Sequence, residues 1–223
     1  MAHASDDTAR LLAVCVGQPR EASWQGERLR TSFFKSRVPG RLAADALGLA
    51  GDSQTDRSVH GGVDKAVYAY TEESAAYWRE QLSRSDLDPG AFGENLRIRG
   101  WPEATVCIGD RFRVGTACLE VSQPRQPCSK LAMRFDDAGF PKRFIKSHRV
   151  GYYLRVVEPG ELGAGDRVER VFHDAESLDI ERVVALWLDR AASEPDLARA
   201  VALPALADAW KLPLRDRLDA ARR

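Results

Sequence analysis

The chain has 223 residues, with 33 lysines and arginines balanced by 33 aspartates and glutamates. This balance creates no long-range field for nucleic acid or an anionic membrane, which argues against stable nucleic-acid binding. A content of 44% hydrophobic and 30% charged residues is typical of a globular protein, and the apolar runs, such as residues 11–16, are too short to span a bilayer.

Residues 10–172 consist mainly of short strand patterns separated by glycine, which predicts a mainly β barrel or sandwich. The predicted strands are residues 11–16, 28–34, 66–70, 95–98, 106–108, 112–114, 118–121, 152–157 and 167–172. Gly109-Asp110 and Gly165-Asp166 each open an alternating strand, as expected at barrel corners. Helices are predicted at residues 72–84, after Thr71, and at residues 141–146.

The pattern changes to helical after residue 172. A polar joint at residues 173–177 precedes apolar residues at amphipathic spacing, namely Ile180, Val183, Val184 and Trp187. Ser193 opens a second helix with a capping-box pattern, and Pro204 and Pro213 delimit further helical pieces. We therefore predict a β-barrel domain over residues 1–173 and a C-terminal three-helix segment over residues 174–223, which is too small to fold alone.

One of the four cysteines differs from the others. Cys15, Cys107 and Cys118 lie in apolar runs and are predicted to be buried as small hydrophobic residues. Cys128 instead lies between Arg125 and Lys130, before a helix-like run, where nearby cations and a helix N-terminus favour the thiolate. This pattern indicates a reactive or metal-binding sulfur, with a structural cysteine at a helix start as the alternative.

The cysteines and the N-terminus also bear on location. There is no CxxC motif and no zinc-site spacing of cysteines with histidines, and the first residues lack the basic start and apolar stretch of a signal peptide. We therefore expect reduced thiols and a cytoplasmic protein. The histidines at positions 3, 148 and 173 lie in no cluster of candidate residues and are interpreted as surface residues.

Two further clusters of polar residues are candidate ligand contacts. His60, Gly61, Gly62 and Lys65 combine a titratable ring, a backbone open to close approach and a cation, although a glycine-rich turn with a solvated lysine remains an alternative. Asn95 follows a glycine turn and could contact a ligand or hold the turn.

A basic segment at residues 125–149 is the third cluster. It contains seven lysines and arginines against two aspartates. This excess indicates an anionic ligand such as a phosphate, with a solvated basic helix face as the competing account.

Several of these segments, in order along the chain, resemble the MOSC family, whose domains occur at the C-terminus of molybdenum cofactor sulfurases, and within it the YiiM-type proteins associated with resistance to N-hydroxylated purines. The matching segments begin at Val38, Gly48, His60, Gly93, Ile108, Gln123 and Gly151. They cover roughly residues 11–172 in family order, which makes the resemblance specific.

The resemblance implies a β-barrel whose open pocket binds the molybdenum cofactor, with Cys128 as the thiolate ligand to the metal. Soft thiolates suit such a metal, and the cofactor phosphate requires cations, which Arg57, Lys65, Arg125 and Lys130 could supply. In this interpretation His60 donates a proton when an N–OH group is reduced to N–H.

The implied substrate is a small N-hydroxylated base. The chain has no flavin or iron–sulfur motif, so a separate electron-donating reductase is expected as a partner, and a homodimer is possible. Two alternatives remain open. Cys128 could carry a persulfide for sulfur transfer, or the pocket could bind a pterin, a nucleotide or, less favoured, pyridoxal phosphate without turnover.

Overall fold

The structure, a computed structural model, describes residues 9–55 and 61–223. Within these residues the strands are β1 (Arg10–Val16), β2 (Arg20–Trp24), β3 (Glu27–Thr31), β4 (Ser36–Val38), β5 (Arg41–Asp45), β6 (Gly48–Leu49), β7 (Val67–Thr71), β8 (Leu96–Arg99), β9 (Arg111–Val114), β10 (Ala117–Pro124), β11 (Tyr152–Glu158), β12 (Gly160–Gly163) and β13 (Val168–Phe172). The helices are α1 (Glu72–Gln81), α2 (Ser129–Phe135), α3 (Phe140–Lys146), α4 (Ile180–Leu188), α5 (Glu194–Ala202) and α6 (Asp208–Ala221).

An eight-stranded sheet dominates the molecule. Its strand order is β13-β9-β10-β11-β7-β8-β1-β4, and β7 and β8 form its parallel pair while the other described neighbours are antiparallel. The helix α1 connects β7 to β8, as a parallel pair requires a crossover. The mainly β class and the mostly antiparallel pairing are therefore confirmed.

The predicted barrel is not closed by a continuous strand ladder. The sheet ends at β13 and β4. The first half of β1 approaches the start of β13 through a bridge between Arg10 and Arg167, but its second half pairs with β4, from Val14 to Val16. One edge of β1 therefore contacts the region of β13 over its first residues and pairs with β4 over its last residues. The two ends of the sheet come close without forming a continuous ladder.

The two Gly-Asp turns are built alike, as their sequence echo predicts. Gly109 and Gly165 have φ values of +88° and +97°, which glycine adopts without steric cost. In each turn the aspartate carboxylate accepts the backbone N–H three residues earlier, Asp110 from Cys107 at 2.9 Å and Asp166 from Gly163 at 2.9 Å. The predicted strand over residues 106–108 is consequently wrong, since the chain turns there and forms only an isolated bridge to Asp179.

Four strands between residues 20 and 49, namely β2, β4, β5 and β6, were missed from sequence. β2 and β3 form a mostly solvent-facing hairpin whose connecting residues Gln25 and Gly26 both have positive φ. β4 and β6 have three and two residues, which is too short for an alternating pattern to be visible. The predicted strand over residues 28–34 ends early, at Thr31, and the following residues enter a cleft.

Local capping fixes the starts of two predicted helices. The Thr71 hydroxyl accepts the Ser74 N–H at the start of α1, and the Ser193 hydroxyl accepts the Asp196 N–H at the start of α5. The expectation that Pro213 separates two helical pieces is wrong, because it lies inside α6. Trp210, Leu214 and Leu218 are buried along that helix and hold it against the core despite the missing N–H.

The C-terminal helices pack on the sheet. Ile180 and Val184 are buried, and Trp187 lies 5.0 Å from Trp210 between ring centres. The Ser122 carbonyl on β10 accepts the Ala207 N–H at 3.0 Å, so backbone contacts add to the apolar ones. Within the described residues, no helix is both long enough and apolar enough to cross a bilayer.

Candidate functional site

A cleft with about 570 Å³ of empty space, partly open to solvent, lies where loops meet the middle strands of the sheet. It is lined by residues from distant parts of the chain: Thr31, Ser32, Phe33, Lys35, Asp52, Ser53, Gln54, Thr55, Lys65, Tyr68, Gly93, Asn95, Arg125, Cys128, Lys130 and Tyr153. Strand pairing, rather than proximity in sequence, assembles this set.

Two tyrosines and a buried arginine form one wall of the cleft. Tyr68 on β7 pairs directly with Tyr153 on β11, so both side chains project from the same face and their ring centres are 5.1 Å apart. The guanidinium carbon of Arg125 lies 4.7 Å from the centre of the Tyr68 ring and 5.4 Å from that of Phe33. Such contacts between a cation and ring faces stabilise the charge in a place that water hardly reaches.

Arg125 remains charged in this environment. Burial opposes the charge, but the nearby Tyr68 and Tyr153 oxygens and the Cys128 sulfur outweigh it, and the pKa of Arg125 is raised above its ordinary value. One guanidinium nitrogen donates to the Phe92 carbonyl, whereas the buried Nε has no hydrogen-bond partner within the described residues. The arginine therefore presents a fixed cation with donor capacity left over.

Cys128 stands at the start of α2. Its backbone is extended, with φ of −132°, and it precedes the first helical residue without capping the helix through its side chain. The thiol is half-buried, and its sulfur is near enough to Tyr153 to help raise the pKa of that phenol, after burial as the main cause and against the effect of Arg125. The sulfur thus faces the cleft beside a cation and a neutral phenol.

A buried ion pair closes the opposite side. The Lys35 ammonium lies 2.5 Å from the Asp52 carboxylate, which also accepts the Gly17 N–H and an Asn95 amide N–H. Burial lowers the pKa of Lys35, and the attraction of Asp52 opposes this effect. The second Asn95 amide N–H donates to the Cys15 carbonyl, and the Asn95 amide oxygen accepts the backbone N–H of Tyr68. The Asn95 side chain thus connects the segments that contain Cys15, Asp52 and Tyr68.

Positive charge dominates the cleft. Among the described residues that line it, Lys35, Lys65, Arg125 and Lys130 are basic, and Asp52 is acidic. The pKa of Lys65 is lowered mainly by burial, with Asp64 acting in the opposite direction. An anionic ligand with a phosphate would find complementary charge here.

The structure brings together five of the residues that sequence singled out. Cys128, Arg125, Lys130, Lys65 and Asn95 all line the cleft. Gly61 and Gly62 do not line it; Gly62 has φ of +92° and precedes the short 3-10 helix that ends at Lys65.

His60 and Arg57 lie outside the described residues, so their predicted roles stay predictions. Sequence reasoning did not select Lys35, Asp52 or the two wall tyrosines. Asp52 is the last residue of the resembling segment that begins at Gly48 and could have been chosen on that ground, whereas Lys35 carries no local signal.

Two expectations about other residues are wrong. Cys107 is half-exposed rather than buried, and burial and the neighbouring Asp110 raise its pKa to about 11. His173 is not isolated, because its Nδ1 lies 2.7 Å from the Asp110 carboxylate. Cys15 and Cys118 are buried as predicted, and burial, the main cause, raises the pKa of Cys15 to about 12.

The class of protein follows from a family match whose matched segment contains Cys128, Arg125 and Lys130 of the cleft. The model of the MOSC domain matches residues 56–169, and the chain belongs to the MOSC family. It is 37% identical to Protein YiiM of Escherichia coli over 159 residues, 70% of this chain and 71% of that protein.

Two further relatives are informative. A protein of Gibberella moniliformis named "Reductase" is 35% identical over 212 residues, 92% of this chain but 35% of that longer protein. The crystal structure of YiiM from Geobacillus stearothermophilus superposes with a TM-score of 0.80 at 30% identity, covering 94% of this chain and 99% of that one. The fold and its C-terminal helices are thus similar to a solved structure along nearly the whole chain.

Proposed function

We propose that this chain binds the molybdenum cofactor in the cleft and reduces N-hydroxylated bases, with the Cys128 thiolate as a ligand to the metal. The observation that carries the proposal is the half-buried Cys128 thiol in the same cleft as the cations Arg125, Lys65 and Lys130. Membership of the MOSC family and a relative named reductase agree with an oxidoreductase.

The donor set of the cleft fits such a cofactor. Arg125 Nε is buried without a partner within the described residues, and a phosphate or pterin oxygen would satisfy it. Gln123 pairs with Tyr153 across the sheet and so projects from the same face. Its amide oxygen and nitrogen are likewise buried and unpartnered within the described residues, although Gln123 is not among the residues that line the cleft. A pterin whose polar edge reached beyond the lining residues would satisfy this amide.

Different residues are proposed to bind different parts of the cofactor. Cys128 offers a soft sulfur ligand, whereas Arg125, Lys65 and Lys130 offer cations for the phosphate. Asn95 holds the Cys15, Asp52 and Tyr68 segments around the cleft, which makes its proposed contribution to cofactor binding one of position. Arg57 is proposed, from sequence, to add a further phosphate contact, whereas Gly61 and Gly62, which do not line the cleft, are not.

The bound cofactor would supply two-electron redox chemistry at its metal. Reduction of N–OH to N–H consumes two electrons and two protons and releases water. His60 is proposed to give one proton to the departing hydroxyl. The chain has no flavin or iron–sulfur motif, so we propose that a separate reductase, in the cytoplasm, provides the electrons.

The test compares Cys128→Ser with Cys118→Ser, both prepared in a host that makes the cofactor. Serine stays protonated near neutrality and is a harder ligand, so Cys128→Ser should lose bound molybdenum and reduce hydroxylaminopurine at least ~100-fold more slowly, with little change in melting temperature. Cys118→Ser should keep metal and activity but melt lower, because Cys118 is buried.

Metal analysis, reduction rate and melting temperature together separate the alternatives. Retention of metal and activity by Cys128→Ser would contradict the thiolate-ligand proposal. Loss of activity in that variant while the wild type contains no molybdenum would favour sulfur transfer through a Cys128 persulfide. Bound pyridoxal phosphate or pterin without turnover would favour a binding module.

A further inference from the structure

A second cluster of metal-ligand side chains lies apart from the cleft. Cys107, Asp110 and His173 each offer a ligand atom, and these atoms all lie within 4.8 Å of one another. None of the three lines the cleft that contains Cys128. A thiol, a carboxylate and an imidazole in such proximity are a donor set that zinc takes.

The fold, and not the sequence spacing, assembles this cluster. Cys107 and Asp110 share one turn, in which the Asp110 N–H donates to the Cys107 carbonyl at 3.1 Å. Phe172 on β13 pairs with Arg111 on β9, so the next residue, His173, comes to lie opposite Asp110. Asp110 and His173, which are 63 positions apart in sequence, are thereby brought to a contact of 2.7 Å between Oδ1 and Nδ1.

The carboxylate is held in place before any metal arrives. Asp110 is fully buried, and its Oδ2 accepts the Cys107 N–H at 2.9 Å and an Arg170 N–H at 3.3 Å. Its Oδ1 is left facing His173. An outer partner that fixes a ligating carboxylate in this way raises metal affinity because the ligand needs no reorganisation.

The surroundings of the thiol also favour a cation. Besides Asp110, the carboxylates of Asp179 and Asp174 act on the Cys107 sulfur, and Arg170 opposes them. Arg170 lies on the Oδ2 side of Asp110 and over the Trp101 ring, 4.4 Å from its centre. The same guanidinium nitrogen of Arg170 also lies 3.4 Å from His173 Nδ1, so the arginine would have to turn away from the imidazole when a metal binds there.

We propose that Cys107, Asp110 and His173 bind one Zn²⁺ ion, with solvent as the fourth ligand, independently of the cofactor cleft. The ion would take the place of the direct contact between Asp110 Oδ1 and His173 Nδ1. A mixed sulfur, nitrogen and oxygen set selects a borderline-soft metal over Ca²⁺ or Mg²⁺, which prefer oxygen alone.

The place of the site gives the ion a structural role. The Ile108 N–H donates to Leu178 and the Ile180 N–H donates to Val106, so the turn with Cys107 is where the C-terminal helices leave the sheet. A metal there would tie the end of β13 to that junction. Because it binds the folded chain, it should raise the melting temperature in proportion to the logarithm of free zinc.

The experiment uses the full chain after removal of metals with a chelator. Zn²⁺ is titrated while stoichiometry and melting temperature are recorded, and Cd²⁺ is used as a probe because thiolate-to-metal charge transfer reports a bound sulfur. Wild type and Cys128→Ser should each bind one equivalent of Zn²⁺ with the same affinity and show the same rise in melting temperature. Both should develop the charge-transfer band with Cd²⁺. His173→Gln should bind at least ~100-fold more weakly, since even outer partners of metal ligands are worth 10- to 100-fold.

His173 is exposed, so its replacement tests a ligand without disturbing the core, and His148→Gln serves as a matched histidine control. Cys107→Ser should remove the charge-transfer band. The proposal is overturned if wild type takes up no stoichiometric zinc, if His173→Gln binds as tightly as wild type, or if Cys128→Ser loses the band instead. The last result would place the metal in the cleft.

Discussion

Burial divides the four thiols into two pairs at the scale of single residues. Cys15 and Cys118 are buried in strands, and burial raises the pKa of both, that of Cys15 to about 12. Cys107 and Cys128 are half-exposed, but Cys107 lies among carboxylates whereas Cys128 shares a cleft with cations. Opposite local charge suits opposite ligands, a lone metal cation at Cys107 and an anionic cofactor at Cys128.

The buried pair of Lys35 and Asp52 gives a prediction about stability. Asp52→Asn leaves the Lys35 charge in the cleft wall without its counter-ion, and removal of one partner of a buried pair typically costs about 3–5 kcal/mol. We expect a loss of this size in the free energy of unfolding near neutral pH, measured with urea. Asp86→Asn, in the solvent-exposed pair with Arg84, should change it little.

The same variant should acquire a steeper pH dependence. Burial lowers the pKa of Lys35 and Asp52 opposes this, so the Asp52→Asn change lowers that pKa further. Between the folded and unfolded pKa values the unfolded chain binds more protons, and stability therefore rises with pH in that alkaline window. The account is contradicted if the free energy of unfolding of Asp52→Asn does not change with pH up to the alkaline range. It is also contradicted if a double Lys35→Met, Asp52→Asn variant is as unstable as the single one.

At the scale of elements, Pro213 tests how far packing overrides propensity. It removes an N–H inside α6, which persists because Trp210, Leu214 and Leu218 are buried along it. Pro213→Ala restores the hydrogen bond and should raise the free energy of unfolding by about 2 kcal/mol, measured with urea.

Pro195 provides the matched control. It lies in the first turn of α5, where backbone N–H groups have no acceptor within the helix. Pro195→Ala therefore restores no hydrogen bond and should not stabilise the protein. Equal effects of the two substitutions would show that Pro213 imposes no strain on α6.

The elements also separate what the sequence could predict from what it could not. The caps at Thr71 and Ser193 and the turns at Gly109 and Gly165 were predicted because each depends on neighbours within a few residues. The contact between Asp110 and His173 was not, because it depends on the register of β9 against β13. Pairing over long separations leaves no local pattern to detect.

The cleft shows the same division. Its thiol and three of its cations were found from a polar turn, a glycine-rich segment and charge, together with the family resemblance. Lys35 was not, since its role comes from a carboxylate 17 residues away that reaches it only in the fold. The wall tyrosines were hidden in strand patterns that predict core positions equally well.

At the scale of the whole molecule, Arg155 connects the C-terminal segment to the cleft. Its guanidinium donates to Asp64, Glu120 and the Ala205 carbonyl, at 2.5, 2.9 and 2.9 Å. Asp64 belongs to the same short 3-10 helix as Lys65. The helices after residue 177 thus help to hold the turn that carries one of the cleft cations.

This connection leads to a prediction for a chain that ends at His173. The cut removes the partners of Val106, Ile108 and Ser122 on the sheet and exposes apolar side chains that are worth about 1.5–3 kcal/mol each when buried. We expect the shortened chain to lose at least ~3 kcal/mol of stability, which for a protein of this size lowers the melting temperature by roughly 6–12 °C.

Residues 178–223 alone should show little helix by circular dichroism, because three short helices without the sheet have too small a core. Adding that segment back in trans should recover part of the loss if docking through Ile180 and Val184 is what stabilises the sheet. A shortened chain with an unchanged melting temperature would mean that the helices rest on the sheet without supporting it.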